Sequence, residues 1–215
     1  MSDTTYIPAL RFNWLTKIYD PLIQWTMPEK QFKQDLIEGA GIEADFHVLD
    51  FGCGTATLSM MTKTQHPSAY LTGVDVDEKV LEIARHKLRD FPHPIRLDQY
   101  DGMKLPYPDA TFDRVISSLV FHHLTPIQKA KALQEIKRVL KFDGELYIAD
   151  WGKAENSLMR GLFYGVQLLD GFKTTRDNVA GLMPSYLLEA GFLSAKVLKK
   201  YRTVFGTLEL FRAKK

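Results

Sequence analysis

Residues 48–56 read Val48-Leu49-Asp50-Phe51-Gly52-Cys53-Gly54-Thr55-Ala56, and the fold follows from how this stretch is parsed. Val48 and Leu49 are apolar and β-favouring, as at the end of a buried strand. Gly52 and Gly54 supply a turn in which backbone can approach a ligand without interference from a Cβ. Thr57, Leu58, Met60 and Met61 then begin a helix. Strand, glycine turn, helix is an arrangement that presents backbone N–H groups and a helix N-terminus to a ligand. Two glycines alone are weak evidence, because many tight turns contain them, so the neighbouring segments decide.

Toward the N-terminus, Pro28 reads as a first-turn helix position, with Phe32, Leu36 and Ile37 on one face and Gly39 and Gly41 at the end. Residues 6–27 carry Tyr6, Phe12, Trp14, Tyr19 and Trp25, too apolar for a tail, and predict a short helical cover. The first strand is expected over Phe46–Asp50. Toward the C-terminus a second unit follows: a strand over Ala69–Asp75, then Asp77 as N-cap of a helix bearing Val80, Leu81, Ala84 and Leu88. Asp75 lies 23 residues after Gly52, near the offset at which nucleotide-binding folds place an acid on ribose hydroxyls. A solvated cap is the alternative use of that carboxylate.

Ile95–Gln99 is a weak third strand leading to Tyr100-Asp101-Gly102-Met103, and the two prolines of Leu105-Pro106-Tyr107-Pro108-Asp109 mark a loop. Phe112–Ser118 reads as a fourth strand. Thr125 and Pro126 open a helix expected to reach about Lys141 and to stop at Asp143-Gly144, before a fifth strand from Leu146 to Ala149 that ends at Asp150-Trp151. This βα rhythm implies a parallel sheet covered on both faces. Beyond Trp151 it changes: a helix over 158–169, a polar loop over 171–181, a short helix from Pro184 to Gly191, and two β-like runs, Ala195–Val204 and Thr207–Ala213. Their short connection predicts an antiparallel pair at the sheet edge.

The whole chain, 215 residues with 45% hydrophobic and 25% charged content, suits one α/β domain. It divides into an N-terminal cover (1–44), a core (45–151) and C-terminal helices with a hairpin (152–215). A net charge of +2 gives no general argument for nucleic-acid binding. The basic residues near the end, from Lys196 to Lys215, read as a solvated face. Cys53 is the single cysteine, which excludes an intrachain disulfide and suggests a reducing, cytoplasmic setting. There is no metal-ligand spacing, no signal-peptide pattern and no apolar run long enough to span a bilayer.

Four ordered segments, VLDFGCGTA, GVDVDEKVLEIAR, DGMKLPYPDATFDRVISSLVFHHL and EIKRVLKFDGELYIADW, resemble the class I S-adenosylmethionine-dependent methyltransferases, in particular the ubiquinone/menaquinone-biosynthesis-type branch. The resemblance covers about residues 17–151. It implies a Rossmann-like seven-stranded mixed sheet, mostly parallel with a C-terminal antiparallel hairpin, and helices on both faces. It also implies roles. Asp50 and the backbone of Gly52, Cys53 and Gly54 would face the methionine part of S-adenosyl-L-methionine. Asp75, with Val76 beside it, would take the ribose hydroxyls. Asp101 would accept from the adenine amino group, with Gly102 and Met103 along the ring. Ser117 or Ser118 would meet the amino-acid end, and Tyr19 would close over the cofactor. Two departures stand out. Ala56 occupies the third glycine position, where its methyl is expected to tighten helix packing. Ser118-Leu119-Val120-Phe121-His122-His123 replaces the asparagine-containing motif of the quinone methyltransferases.

Methyl transfer from a sulfonium needs no metal; it needs an aligned nucleophile, exclusion of water and, for some acceptors, removal of a proton. His122, His123 and Asp150 are the candidates for that proton, each at or near a strand end. A structural histidine pair and a turn aspartate are the plainer uses of the same residues. Trp151, Phe163, Tyr164 and Phe172 are candidates to wall an apolar pocket or to pack as core. Cys53, with no basic partner nearby in sequence, reads as a packed thiol. The expected partner is a small-molecule substrate, without nucleic acid, with a homodimer left open. The alternatives are a nicotinamide-dependent oxidoreductase, which has no use for Asp101 or the LPYPDATFD segment, and a cofactor-binding module without catalysis.

Overall fold

The computed structural model describes residues 28–153, 177–178, 180–203 and 206–215. The expected N-terminal cover with Tyr19, the helix over 158–169 and the aromatic residues Phe163, Tyr164 and Phe172 lie outside the described residues. In chain order the elements are α1 (Glu29–Gly39), β1 (His47–Phe51), α2 (Thr57–Gln65), β2 (Tyr70–Asp75), α3 (Glu78–Leu88), β3 (Arg96–Gln99) and β4 (Phe112–Ser118). A 3₁₀ turn (Phe121–His123), α4 (Pro126–Val139), β5 (Leu140–Trp151), α5 (Met183–Glu189), β6 (Ser194–Arg202) and β7 (Thr207–Lys214) follow.

The seven strands form one sheet in the order β3-β2-β1-β4-β5-β7-β6. The first five run parallel, whereas β7 is antiparallel to both β5 and β6. The terminal pair is therefore a hairpin as expected, but its second strand is inserted between β5 and β6. Apolar side chains of the central strands alternate between two cores, as the period of two requires. Val48, Ile116, Tyr147, Ala149 and Trp151 face α1 and α2 with Phe32, Leu36, Ile37 and Leu58. Leu49, Val115, Leu146, Ile148 and Phe211 face the other way, toward Leu133, Ile136 and Val139 of α4 and Leu187 of α5.

The largest departure from the expected boundaries lies between α4 and β5. α4 stops at Val139, not near Lys141, and Asp143-Gly144 lies inside β5. The β4–β5 register jumps from Phe112↔Leu140 to Arg114↔Glu145, so extra residues bulge out of β5 there. Gly144 makes the bulge feasible, because a Cβ on it would come within 2.9 Å of Lys141 O and Leu140 Cδ2. Among the described residues no helix is long and apolar enough to cross a membrane.

Candidate cofactor and acceptor site

β1 has β2 on one side and β4 on the other, so the chain switches direction across the sheet at that strand. Open parallel sheets bind ligands in the crevice at such a switch point, beyond the C-terminal strand ends. The glycine turn lies there. Gly52 and Cys53 donate their N–H groups to Val74 O at 2.9 and 3.0 Å, tying the turn to β2. Gly52 has φ +71 and is packed so closely that a Cβ would fall 2.4 Å from Val120 Cγ2. Gly54, at φ +52, is the opposite case: among the described residues nothing lies within 4 Å of where its Cβ would be. One glycine is set by packing, and the other opens backbone to the crevice.

Ala56 is fully buried and has φ +61, so the missing third glycine also carries backbone strain. Ala56 is also the N-cap of α2 and offers no side-chain acceptor to that helix.

Asp75 ends β2 and is oriented by two backbone donors: Gly54 N–H to Oδ2 at 2.9 Å and Asp77 N–H to Oδ1 at 3.0 Å. A carboxylate has about four acceptor positions, so two remain for hydroxyl donors. Burial raises its pKa, and the N–H donors pull against that shift. The loops after β2 and β3 are fastened together by Tyr100 N–H to Asp75 O (3.1 Å) and Gln99 Nε2 to Val76 O (3.1 Å). Val76 Cγ1 consequently lies in ordinary contact range of Gly102, at 3.6 Å from its would-be Cβ. Asp101 is exposed; its Oδ1 accepts from Met103 N (2.8 Å) and Lys104 N (3.0 Å), which holds its carboxyl below the usual range. Met103 is 45% exposed, an apolar surface beside that acid.

Asp50 is placed differently. It is buried beneath α2, where Ser59 Oγ donates to Oδ2 at 2.5 Å. Burial pushes its carboxyl up to about 6, against the pull of Ser59 and of the Lys33 charge. Ser59 and Lys33 carried no signal in the sequence; helix α2 and helix α1 bring them to the end of β1. Lys87 of α3 is a third such residue, reaching Thr55 O at 3.0 Å and so bracing the turn. Cys53 is buried, and burial followed by the Asp50 and Asp75 charges raises its thiol, leaving a packed, unreactive group.

At the end of β4 the two serines diverge. Ser117 is fully buried and donates to Phe51 O at 2.8 Å. Among the described residues Ser118 Oγ is buried without a hydrogen-bond partner. Leu119 then leaves the sheet at φ +60, an unfavourable conformation for its side chain, and the chain enters the 3₁₀ turn. His122 N–H donates to Asp150 Oδ2 (3.2 Å), its Nδ1 lies 2.7 Å from Asp150 Oδ1, and Trp151 N–H also donates to Oδ1 at 2.7 Å. Burial would raise the Asp150 carboxyl, but the His122 charge and these hydrogen bonds outweigh it and lower the pKa. The rings of His122 and His123 lie 3.9 Å apart. Burial, then the neighbouring His122, drops His123 to about 3, so it stays neutral. Asn178 Nδ2 donates to Trp151 O at 3.1 Å, bringing the segment before α5 onto the same strand end. Among the described residues no cluster of His, Cys, Asp or Glu is arranged to hold a metal.

This geometry accords with the comparisons. Residues 48–144 match the family model described as methyltransferase domain. The chain is 33% identical over 64% of its length to a demethylmenaquinone methyltransferase from Symbiobacterium thermophilum, covering 57% of that protein. It is 26% identical over 83% of its length to a ubiquinone/menaquinone biosynthesis C-methyltransferase from Citrifermentans bemidjiense, covering 77% of it. For the demethylmenaquinone methyltransferases it matches, the chain spans about half of their length. Among solved structures, the YcgJ protein of Bacillus subtilis superimposes with TM-score 0.71 at 17% identity, over 85% of this chain and 97% of that one, a likeness of fold. Neither the site nor the comparisons favour the nicotinamide alternative. The family-model match over residues 48–144, these relatives and the shared fold make the chain similar to the S-adenosylmethionine-dependent methyltransferases.

Proposed function

We propose that the chain transfers the methyl group of S-adenosylmethionine to a small-molecule acceptor, mainly by holding the acceptor in line with the sulfonium methyl. The observation that carries this reading is the meeting of Gly54's open backbone, Asp75 and Asp101 at the ends of three adjacent strands. Together they span one nucleoside with its side arm. The residues fit the cofactor: no described residue fills the space in front of Gly54, and Asp75 retains acceptor capacity for a ribose diol. Val76, Gly102 and Met103 would flank the base, and Asp101 would accept from its amino group. Of the two serines, Ser118 is the better contact, because Ser117 is already spent on Phe51 and Ser118 Oγ has no partner among the described residues.

When bound, the cofactor supplies an activated methyl on a cationic sulfur, so the protein's work is alignment, dehydration and, where needed, proton removal. The His122–Asp150 pair suits the last task. With Nδ1 directed at the ionised Asp150, Nε2 is the nitrogen that takes up a proton, and Asp150 stabilises the resulting imidazolium. His123 acts as a neutral wall of that site. Demethylmenaquinone, after which the relatives are named, belongs in the first acceptor panel.

Calorimetric titration of S-adenosylhomocysteine into the full chain is expected to give one site per chain. Folded protein without detectable binding would sink the proposal. A radiolabelled-methyl assay on extract of the source organism, with identification of the labelled product, then names the acceptor.

A further inference from the structure

Lys129 is fully buried, and it lies in the first turn of α4, the end of a helix at which the dipole disfavours a cation. Burial and dipole both act against an ammonium there, so neighbouring anions must offset them. Asp177 Oδ2 lies 3.7 Å from Lys129 Nζ, and the same oxygen accepts from Tyr186 OH at 2.8 Å. The centre of the Tyr186 ring is 5.9 Å from the ammonium. Asp150 is a second carboxylate whose charge reaches Lys129; with Asp177 it opposes the lowering of the ammonium pKa by burial.

The contacts around Lys129 close into a ring. Asp177 adjoins Asn178, whose Nδ2 donates to Trp151 O, and Trp151 adjoins Asp150, which lies 2.7 Å from His122 Nδ1. From His122 the chain runs on to Thr125, whose carbonyl accepts from Lys129 N–H at 2.8 Å. Lys129 and His122 thus draw on one buried carboxylate from two elements, α4 and the 3₁₀ turn before it. Two further groups face that carboxylate. His123, beside His122, stays neutral. Glu209, directly opposite Asp150 in the β5–β7 pairing, is buried and held by Lys200 at 2.7 Å.

We propose that Lys129 is a positioning residue of the proton-accepting pair: its charge competes with His122 for Asp150 and keeps the imidazole unprotonated, ready to take a proton, near neutral pH. The proposal rests on the proposed role of His122 and deepens it. Lys129 acts through Asp150 and not on the acceptor itself. Asp177 tempers the effect by drawing part of the ammonium's field to itself.

The test is a pH titration of the His122 ring by NMR in the full chain, followed at its ε1 proton and assigned by the loss of that signal in His122→Gln. Lys129→Met is expected to raise the titration midpoint by about one pH unit, because Asp150 is then left to the imidazolium. Asp177→Asn is expected to lower it, because Lys129 bears harder on Asp150 once its own carboxylate is gone. Loosening of the packing would instead move both variants in the same direction. An unchanged midpoint in Lys129→Met, or changes of the same sign in the two variants, overturns the proposal. Should Lys129→Met fail to fold, Asp177→Asn decides from the rim, and an unchanged or raised midpoint overturns it. The titration needs neither cofactor nor acceptor, so its outcome is independent of the calorimetric test of cofactor binding.

Discussion

Ala56 and Gly52 show how differently two positive-φ residues of one turn are constrained. Ala56 at φ +61 bears the left-handed penalty of about 1–2 kcal/mol, against about 0.5–1 kcal/mol of extra chain entropy that a glycine would lose. Ala56→Gly is therefore expected to stabilise the protein slightly, by about 0.5–1 kcal/mol, measured as a higher urea midpoint at unchanged slope. Gly52→Ala should do the reverse and cost about 1–3 kcal/mol, because its methyl meets Val120 as well as the strained φ. Asp150→Asn separates binding from chemistry. It removes the charge that orients His122 and should lower turnover strongly on an acceptor that must lose a proton, with S-adenosylhomocysteine affinity retained in calorimetry. Asp75→Ala should behave oppositely, losing most of the cofactor affinity.

At the scale of elements, the LPYPDATFD segment has a structural role that its composition concealed. Arg138 of α4 holds it: Nη1 donates to Tyr107 O (2.8 Å), Nη2 to Leu105 O (3.1 Å), and the same guanidinium pairs with Glu135 and Asp109. Glu135 in turn accepts from Leu105 N–H at 2.9 Å, so loop and helix are latched from both sides. Charge-assisted bonds to the loop backbone are worth about 1.5–3 kcal/mol each before solvent exposure reduces them. Arg138→Met is expected to destabilise by about 2 kcal/mol and to raise amide exchange over residues 104–109 ahead of the core strands. At the opposite end of α4, Thr125 and Gln128 form a capping box. The Thr125-Pro126 start was legible, because a cap is a local pattern, whereas the return bond from Gln128 came from the structure. The bulge in β5 was not, because Asp143-Gly144 looks like a helix stop unless the pairing partner β4 is known.

For the molecule as a whole, the raised Asp50 pKa links pH to stability. A carboxyl whose folded pKa, about 6, lies above its unfolded value favours the fold while protonated. That contribution is present below about pH 4 and is lost as pH rises through about 6. Saturating ligand at about a hundred times Kd should add ~2.7 kcal/mol of stability, visible as a melting rise of roughly 5–10 °C.

The sequence by itself determined the succession of strands and helices, the glycine turn, and the acids Asp75 and Asp101 at strand ends. These depend on residue periodicity, turn chemistry and spacing within about thirty residues, all local quantities. Tertiary structure decided the rest. It placed β7 between β5 and β6, brought His122 onto Asp150 across the β4–β5 crevice, and separated a bonded Ser117 from an unbonded Ser118. It also carried Lys33 and Ser59 to the end of β1. Such contacts join helices and strands through a shared core, and burial fixes which polar groups must find partners there; neither can be read from one segment alone.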